Sequence, residues 1–208
     1  DTYNPERRQW IEAFYADAKA HLEAAGAEVI TAPVCRLEHE FKEAIQNFER
    51  ENADALVTLH LAYSPSLQSE HVLADTKLPL IIMDTTPDYK FFPSTVNGRY
   101  MTAYNHGIHG VQDMCTLLKK NGKEYQIFAG HMDHSDVVAR VVAAALGAKL
   151  AAALHHAKVG TIGGIYDGMG DFRVPYDRMK KELGAEVAVF DTVAAKKAFF
   201  EITEEEVD

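Results

Sequence analysis

A repeated alternation of short apolar runs with stretches of helical periodicity is the feature that most narrows what this chain can fold into. The runs Ala53 to Leu61, Leu78 to Met83, Tyr125 to Ala129, Val159 to Ile162 and Glu186 to Phe190 have strand length. Several are apolar throughout, the mark of strands buried on both faces rather than on one. A shorter run, Glu28 to Thr31, predicts one more strand near the start.

Helical segments stand between these runs. From Pro5 to Ala25 the residues Trp10, Phe14, Ala18 and Leu22 recur at helical spacing, and Gly26 follows as a C-cap. Further helices are predicted from Glu38 to Glu51, with Phe41, Ala44, Ile45 and Phe48 on one face, and from Leu67 to Ala74. Others are predicted from Asn105 to Lys120, Asp133 to His155 and Tyr176 to Leu183. Strands alternating with helices predict an α/β fold: a doubly wound, mostly parallel sheet in a three-layer, Rossmann- or flavodoxin-like sandwich.

Composition matters for what it excludes. A formal charge of −10 and no run of Lys or Arg leave no electrostatic footprint for nucleic acid or anionic lipid. The longest apolar stretch, about Val141 to Leu154, is interrupted by Gly147 and Lys149 and reads as too short to span a bilayer. Nothing at the amino end has the pattern of an export signal. Cys35 and Cys115 stand far apart in sequence and read as free thiols of a reducing, cytoplasmic protein.

In open parallel sheets ligands lie beyond the carboxyl ends of the strands, so the residues just after each run carry the functional reading. Here they are Tyr63-Ser64-Pro65-Ser66, Asp84-Thr85-Thr86-Pro87, Gly130-His131-Met132-Asp133-His134 and the glycine-rich Gly163 to Asp171. A plainer role exists for Ser64, Ser66, Asp133 and Ser135, which are all residue types that cap helices. In the helix after Asn105, taken as its cap, Ile108, Val111, Cys115 and Leu118 form the buried seam. His106, His109 and Asp113 gather on the other side, as a solvated face, a ligand contact or a subunit interface. No glycine spacing matches a dinucleotide fingerprint or a phosphate-binding loop, and the His-x-x-His pairs 106/109 and 131/134 lack an HExxH or paired cysteines.

Four of these segments, in order and separation, resemble the L-fucose and L-arabinose isomerase superfamily in its fucose isomerase-like branch. They are Tyr63-Ser64-Pro65 after an apolar strand, Asn105-His106-Gly107 opening a helix, Gly130-His131 after the next strand, and Gly168-Met169 in the later loop. The resemblance covers most of the chain from about Asp1. It implies an amino-terminal α/β domain over residues 1–157 and the beginning of a central α/β domain over 158–208. Both ends then read as cut, and the capping box Thr203 to Glu206 announces a helix with no body behind it.

The resemblance also implies an activity. The family interconverts aldoses and ketoses by moving a proton between C1 and C2 through an enediol, with a divalent metal, usually manganese, polarising the two oxygens. Its metal-binding residues and acid–base carboxylates come later in the chain, beyond Asp208. This chain would supply the sugar pocket: Tyr63 as an aromatic wall, His106 reaching a neighbouring subunit's site, and Met169 as an apolar contact. Helix geometry, not the family, adds His109. The implied assembly is a homo-oligomer with active sites between subunits. Gly170 and Asp171 depart from the basic and acidic residues of arabinose isomerases, and His109 replaces a small residue, so the sugar stays open. Two other functions suit parts of the pattern: a non-enzymatic sugar-binding module, and a metal hydrolase using His106, His109, His131 and His134.

Overall fold

The computed structural model describes residues 5–90, 103–163, 166 and 168–207. The fold is α/β, with parallel strands in two sheets. The chain divides into one unit over residues 1–148 and another over 149–208.

In the first unit, helices α1 (Pro5–Ala24) and α2 (Glu38–Arg50) precede strand β1 (Leu56–Leu59). A 3-10 turn (Ser66–Gln68) and the short α3 (Glu70–Asp75) lead to β2 (Leu80–Asp84). Helix α4 (Gly107–Lys120) leads to β3 (Tyr125–Ala129), and α5 (Val137–His155) follows. The strands lie in the order β1-β2-β3, all parallel, with Thr58 beside Ile82 and Ile82 beside Ile127. Central β2 is buried from Leu80 to Met83, as its uninterrupted apolar sequence requires.

Alternation along β2 divides the core in two. Ile81 and Met83 point to one face, where Phe14, Ala18 and Leu22 of α1 meet Met132 and Val137 and Val141 of α5. Leu80 and Ile82 point to the other, where Ile45 of α2, Leu73 of α3, and Val111, Met114 and Leu118 of α4 close over them. Helices thus cover both faces of the sheet, the doubly wound arrangement.

Four local expectations fail. Glu28 to Thr31 forms no strand: Ala27 and Val29 spend their apolar surface against the α1 cluster, and Tyr15 donates its hydroxyl to the Ala32 carbonyl. An extended run becomes a strand only when another strand pairs with it, and β1 pairs only with β2 among the described residues. Asn105 does not cap α4; His106 holds that position, and the Asn105 side chain is engaged elsewhere. Helix α5 runs 19 residues and is long and apolar enough to cross a membrane by length and composition, contrary to the reading of its apolar stretch as too short. Its first turns, however, are anchored by the fully buried Val137 and Val141.

The fourth difference is in the second unit, where β4 (Lys158–Ile162) and β5 (Glu186–Phe190) form a parallel pair with Gly160 beside Ala188. Between them lie a 3-10 turn (Gly170–Phe172) and α6 (Tyr176–Leu183), which ends on Gly184 in the left-handed conformation at φ 76°. After β5 comes a helix the periodicity did not announce, α7 (Thr192–Glu201), started by the Asp191 carboxylate accepting from the backbone N–H groups of Val193 and Ala194. The Thr203–Glu206 capping box forms and opens a single 3-10 turn, Glu204–Glu206.

Candidate functional site

The carboxyl ends of β1 and β2, with the first turn of α4, bring three of the four residues singled out from sequence to one place. The Tyr63 ring lies 5.3 Å from the His106 ring at 34°, and the His106 ring lies 4.4 Å from that of His109 at 48°. Tyr63 and His109 are exposed and His106 is half-buried. The three form a continuous row of flat rings at the rim of the sheet. Met169 belongs to the second unit, at the residue before the 3-10 turn, and is 47% exposed. Gly164, Ile165 and Asp167 of its loop lie outside the described residues.

Asp113, expected beside the histidines, turns partly inward and accepts a hydrogen bond from the buried Ser66 hydroxyl. Ser66 therefore ties the loop after β1 to α4 instead of capping a helix. Ser135 stands one residue before the cap position of α5, its hydroxyl accepting from the Val137 N–H and donating to the His131 carbonyl. Asp133 instead pairs with His21 of α1, at 3.0 Å.

Beneath the ring row lies a residue that sequence reading passed over. His60, directly after β1, is buried enough that desolvation lowers its pKa to about 4, so the ring is neutral near pH 7. Among the described residues its buried Nδ1 has no hydrogen-bond partner, and neither have Asp84 Oδ1 and the hydroxyls of Thr58 and Thr85. Burial also raises the pKa of Asp84, at the end of β2. Thr58, His60 and Asp84 follow the alternation that puts Leu56 and Ile82 under α4. The polar groups thus crown that half of the core where the sheet ends. The available signal was Gly107 and Gly110, two small residues three apart facing inward.

The second histidine pair behaves differently. Tyr89 stacks on His134, with ring centres 4.1 Å apart, and His131 lies 5.0 Å from His134. His131 donates from Nε2 to the Pro87 carbonyl and accepts at Nδ1 from the Asp133 N–H. Both ring nitrogens are thus engaged, Nε2 joining the loop after β3 to the loop after β2 and Nδ1 bracing the loop after β3 itself. A metal ion there would have to displace one of those bonds. Among the described residues no group of three or more His, Cys, Asp or Glu side chains is arranged to hold a metal ion. Two neighbouring imidazoles and a phenol do not make the oxygen-rich set that manganese prefers.

The arrangement offers a flat aromatic wall, two imidazoles able to donate or accept, and an apolar core holding them from behind. Such a combination suits a small polyhydroxylated ligand: C–H faces stack on the ring and hydroxyls bond the imidazoles. The fold and rim define a parallel-sheet α/β protein with a candidate small-ligand surface at its strand ends. No known family profile and no curated protein matches the chain.

Proposed function

We propose that this chain is the amino-terminal portion of a metal-dependent aldose–ketose isomerase of the L-fucose and L-arabinose isomerase superfamily, supplying the sugar pocket and subunit contacts. The observation that carries the reading is the Tyr63–His106 ring contact at 5.3 Å. These residues are 43 positions apart, each lies in a separate motif of the resemblance, and the fold makes them neighbours.

In this reading Tyr63 packs against the apolar face of the sugar and excludes water from it. His106 and His109 orient its hydroxyls from one subunit into the site of the next. By family analogy a divalent metal such as manganese would be held by residues outside this chain and would supply Lewis-acid chemistry to the sugar oxygens. The resulting assembly is a cytoplasmic homo-oligomer. Leu146, Leu150 and Leu154, exposed at helical spacing along α5, give such an assembly apolar surface to bury.

The test is isomerase activity of the intact gene product beside this chain, with L-fucose, L-arabinose and D-arabinose, in manganese and in chelator. Metal-dependent turnover by the intact product alone supports the reading. Turnover by neither, with sugar still bound, favours a non-enzymatic sugar-binding module instead.

A further inference from the structure

We propose that His60 is the positioning residue of the sugar platform, a fixed stop against which Gly107 and Gly110 seat the first turn of α4 so that His106 meets Tyr63. The proposal rests on the reading of that platform as the sugar site, and adds what sets its geometry.

His60 and Tyr63 leave β1 on the same short segment, while His106 immediately precedes Gly107 at the start of α4. The distance between the two platform rings is therefore set by how closely the segment and the helix start approach. At Gly107 a side chain would overlap the His60 carbonyl oxygen, and its Cβ would lie 3.2 Å from His60 Cβ. At Gly110 an added Cβ would lie 2.8 Å from His60 Cδ2 and 3.3 Å from the Ser64 nitrogen. Positions three apart share one face of a helix, so both glycines turn that face toward His60. Only glycine allows such an approach at both positions.

The contact is held from several sides. Ser66 bonds Asp113 one turn further along α4, and Val111 and Met114 are buried beneath. Within that frame the His60 ring fills the space left by the missing Gly110 side chain. Its buried Nδ1 makes no hydrogen bond among the described residues, a cost that an apolar side chain would not carry. Polar groups retained in this state call for an explanation beyond stability. Here it is shape: a flat five-membered ring fits between a strand end and a helix at glycine distance.

The test compares His60→Ala, His60→Phe, Gly110→Ala and the double variant His60→Ala/Gly110→Ala in this chain. Its first readout is the nuclear Overhauser contact between the Tyr63 and His106 rings, with amide spectra of β1 to β3 reporting the fold. The expected result is loss of the ring contact in His60→Ala and Gly110→Ala, and its retention in His60→Phe. The double variant, where the new methyl occupies the vacated space, should restore part of it. L-Fucose or L-arabinose binding should follow the same order, about tenfold weaker where the contact is lost.

An unchanged Tyr63–His106 contact in folded His60→Ala, or additive effects in the double variant, would overturn the proposal. Should His60→Ala fail to fold, Gly110→Ala carries the same test from the helix side: an unchanged ring contact there overturns it. Absence of sugar binding by the unaltered chain would count against the sugar site, while the ring contact still decides the role of His60.

Discussion

Asn105 and Asp88 hold each other by two hydrogen bonds: the Asn105 amide donates to the Asp88 carboxylate at 2.7 Å, and the Asp88 N–H donates to Asn105 Oδ1 at 3.0 Å. Asn105 is 4% exposed, so its amide cannot turn to solvent instead. The pair joins the loop after β2 to the residues that open α4, just ahead of His106. Asn105→Ala should cost about 1–3 kcal/mol, since it leaves the Asp88 groups half-buried and unpaired. Asn105→Asp should cost more, because it sets two carboxylates against each other. Urea denaturation of the two variants measures both.

Glycine positions in the two long helices after β2 should respond in opposite directions. Gly107→Ala drives a methyl into the His60 backbone and should destabilise by about 1–3 kcal/mol, the range for overpacking. Gly147, inside α5, has nothing within 4 Å of an added Cβ. Gly147→Ala should therefore stabilise by roughly 0.5–1 kcal/mol through helix propensity alone. Thermal or urea unfolding of the pair checks the contrast.

Two histidines should give stability opposite pH dependences. Burial lowers His60 from 6.5 to about 4, so between those values the unfolded chain binds a proton that the folded chain does not. Stability is full above pH 6.5 and declines as pH falls toward 4, by on the order of 3 kcal/mol. His60→Phe should flatten that slope in urea midpoints taken between pH 7 and 5.

His21 runs the other way. Its hydrogen bond to the Asp17 carbonyl, then that to the Asp133 carboxylate, raises its pKa, so its contribution is full below 6.5 and is lost as pH rises through the raised value. Asp133, lowered chiefly by the same hydrogen bond, keeps its contribution above its ordinary 3.8 and loses it as pH falls through the lowered value. An NMR titration should place the His21 midpoint above 6.5, and Asp133→Asn should bring it down.

Much of the architecture was legible in sequence because it depends on local pattern. β3 and β5 match their apolar runs residue for residue, and α6 matches its periodic segment. What was not legible depends on neighbours. Glu28 to Thr31 has strand composition and no strand to pair with, while Asn105 has the chemistry of a cap and a better partner in Asp88.

The site divides along the same line. Tyr63, His106 and His109 could be chosen because they follow a strand or lie opposite an apolar seam. His60 could not, since its importance comes from two glycines 47 and 50 positions away that meet it only in the folded chain. Asp191 was a missed local signal: a good N-cap directly before Thr-Val-Ala-Ala marked the start of α7.

The central claim, that the rim of the first sheet is a sugar site, is tested most directly by titrating the isotope-labelled chain with L-fucose and L-arabinose. The account predicts saturable shifts centred on Tyr63, His106 and His109, lost in Tyr63→Ala while the amide spectrum of β1 to β3 stays intact. Shifts absent at millimolar sugar, or centred on Tyr89 and His134 instead, would contradict it.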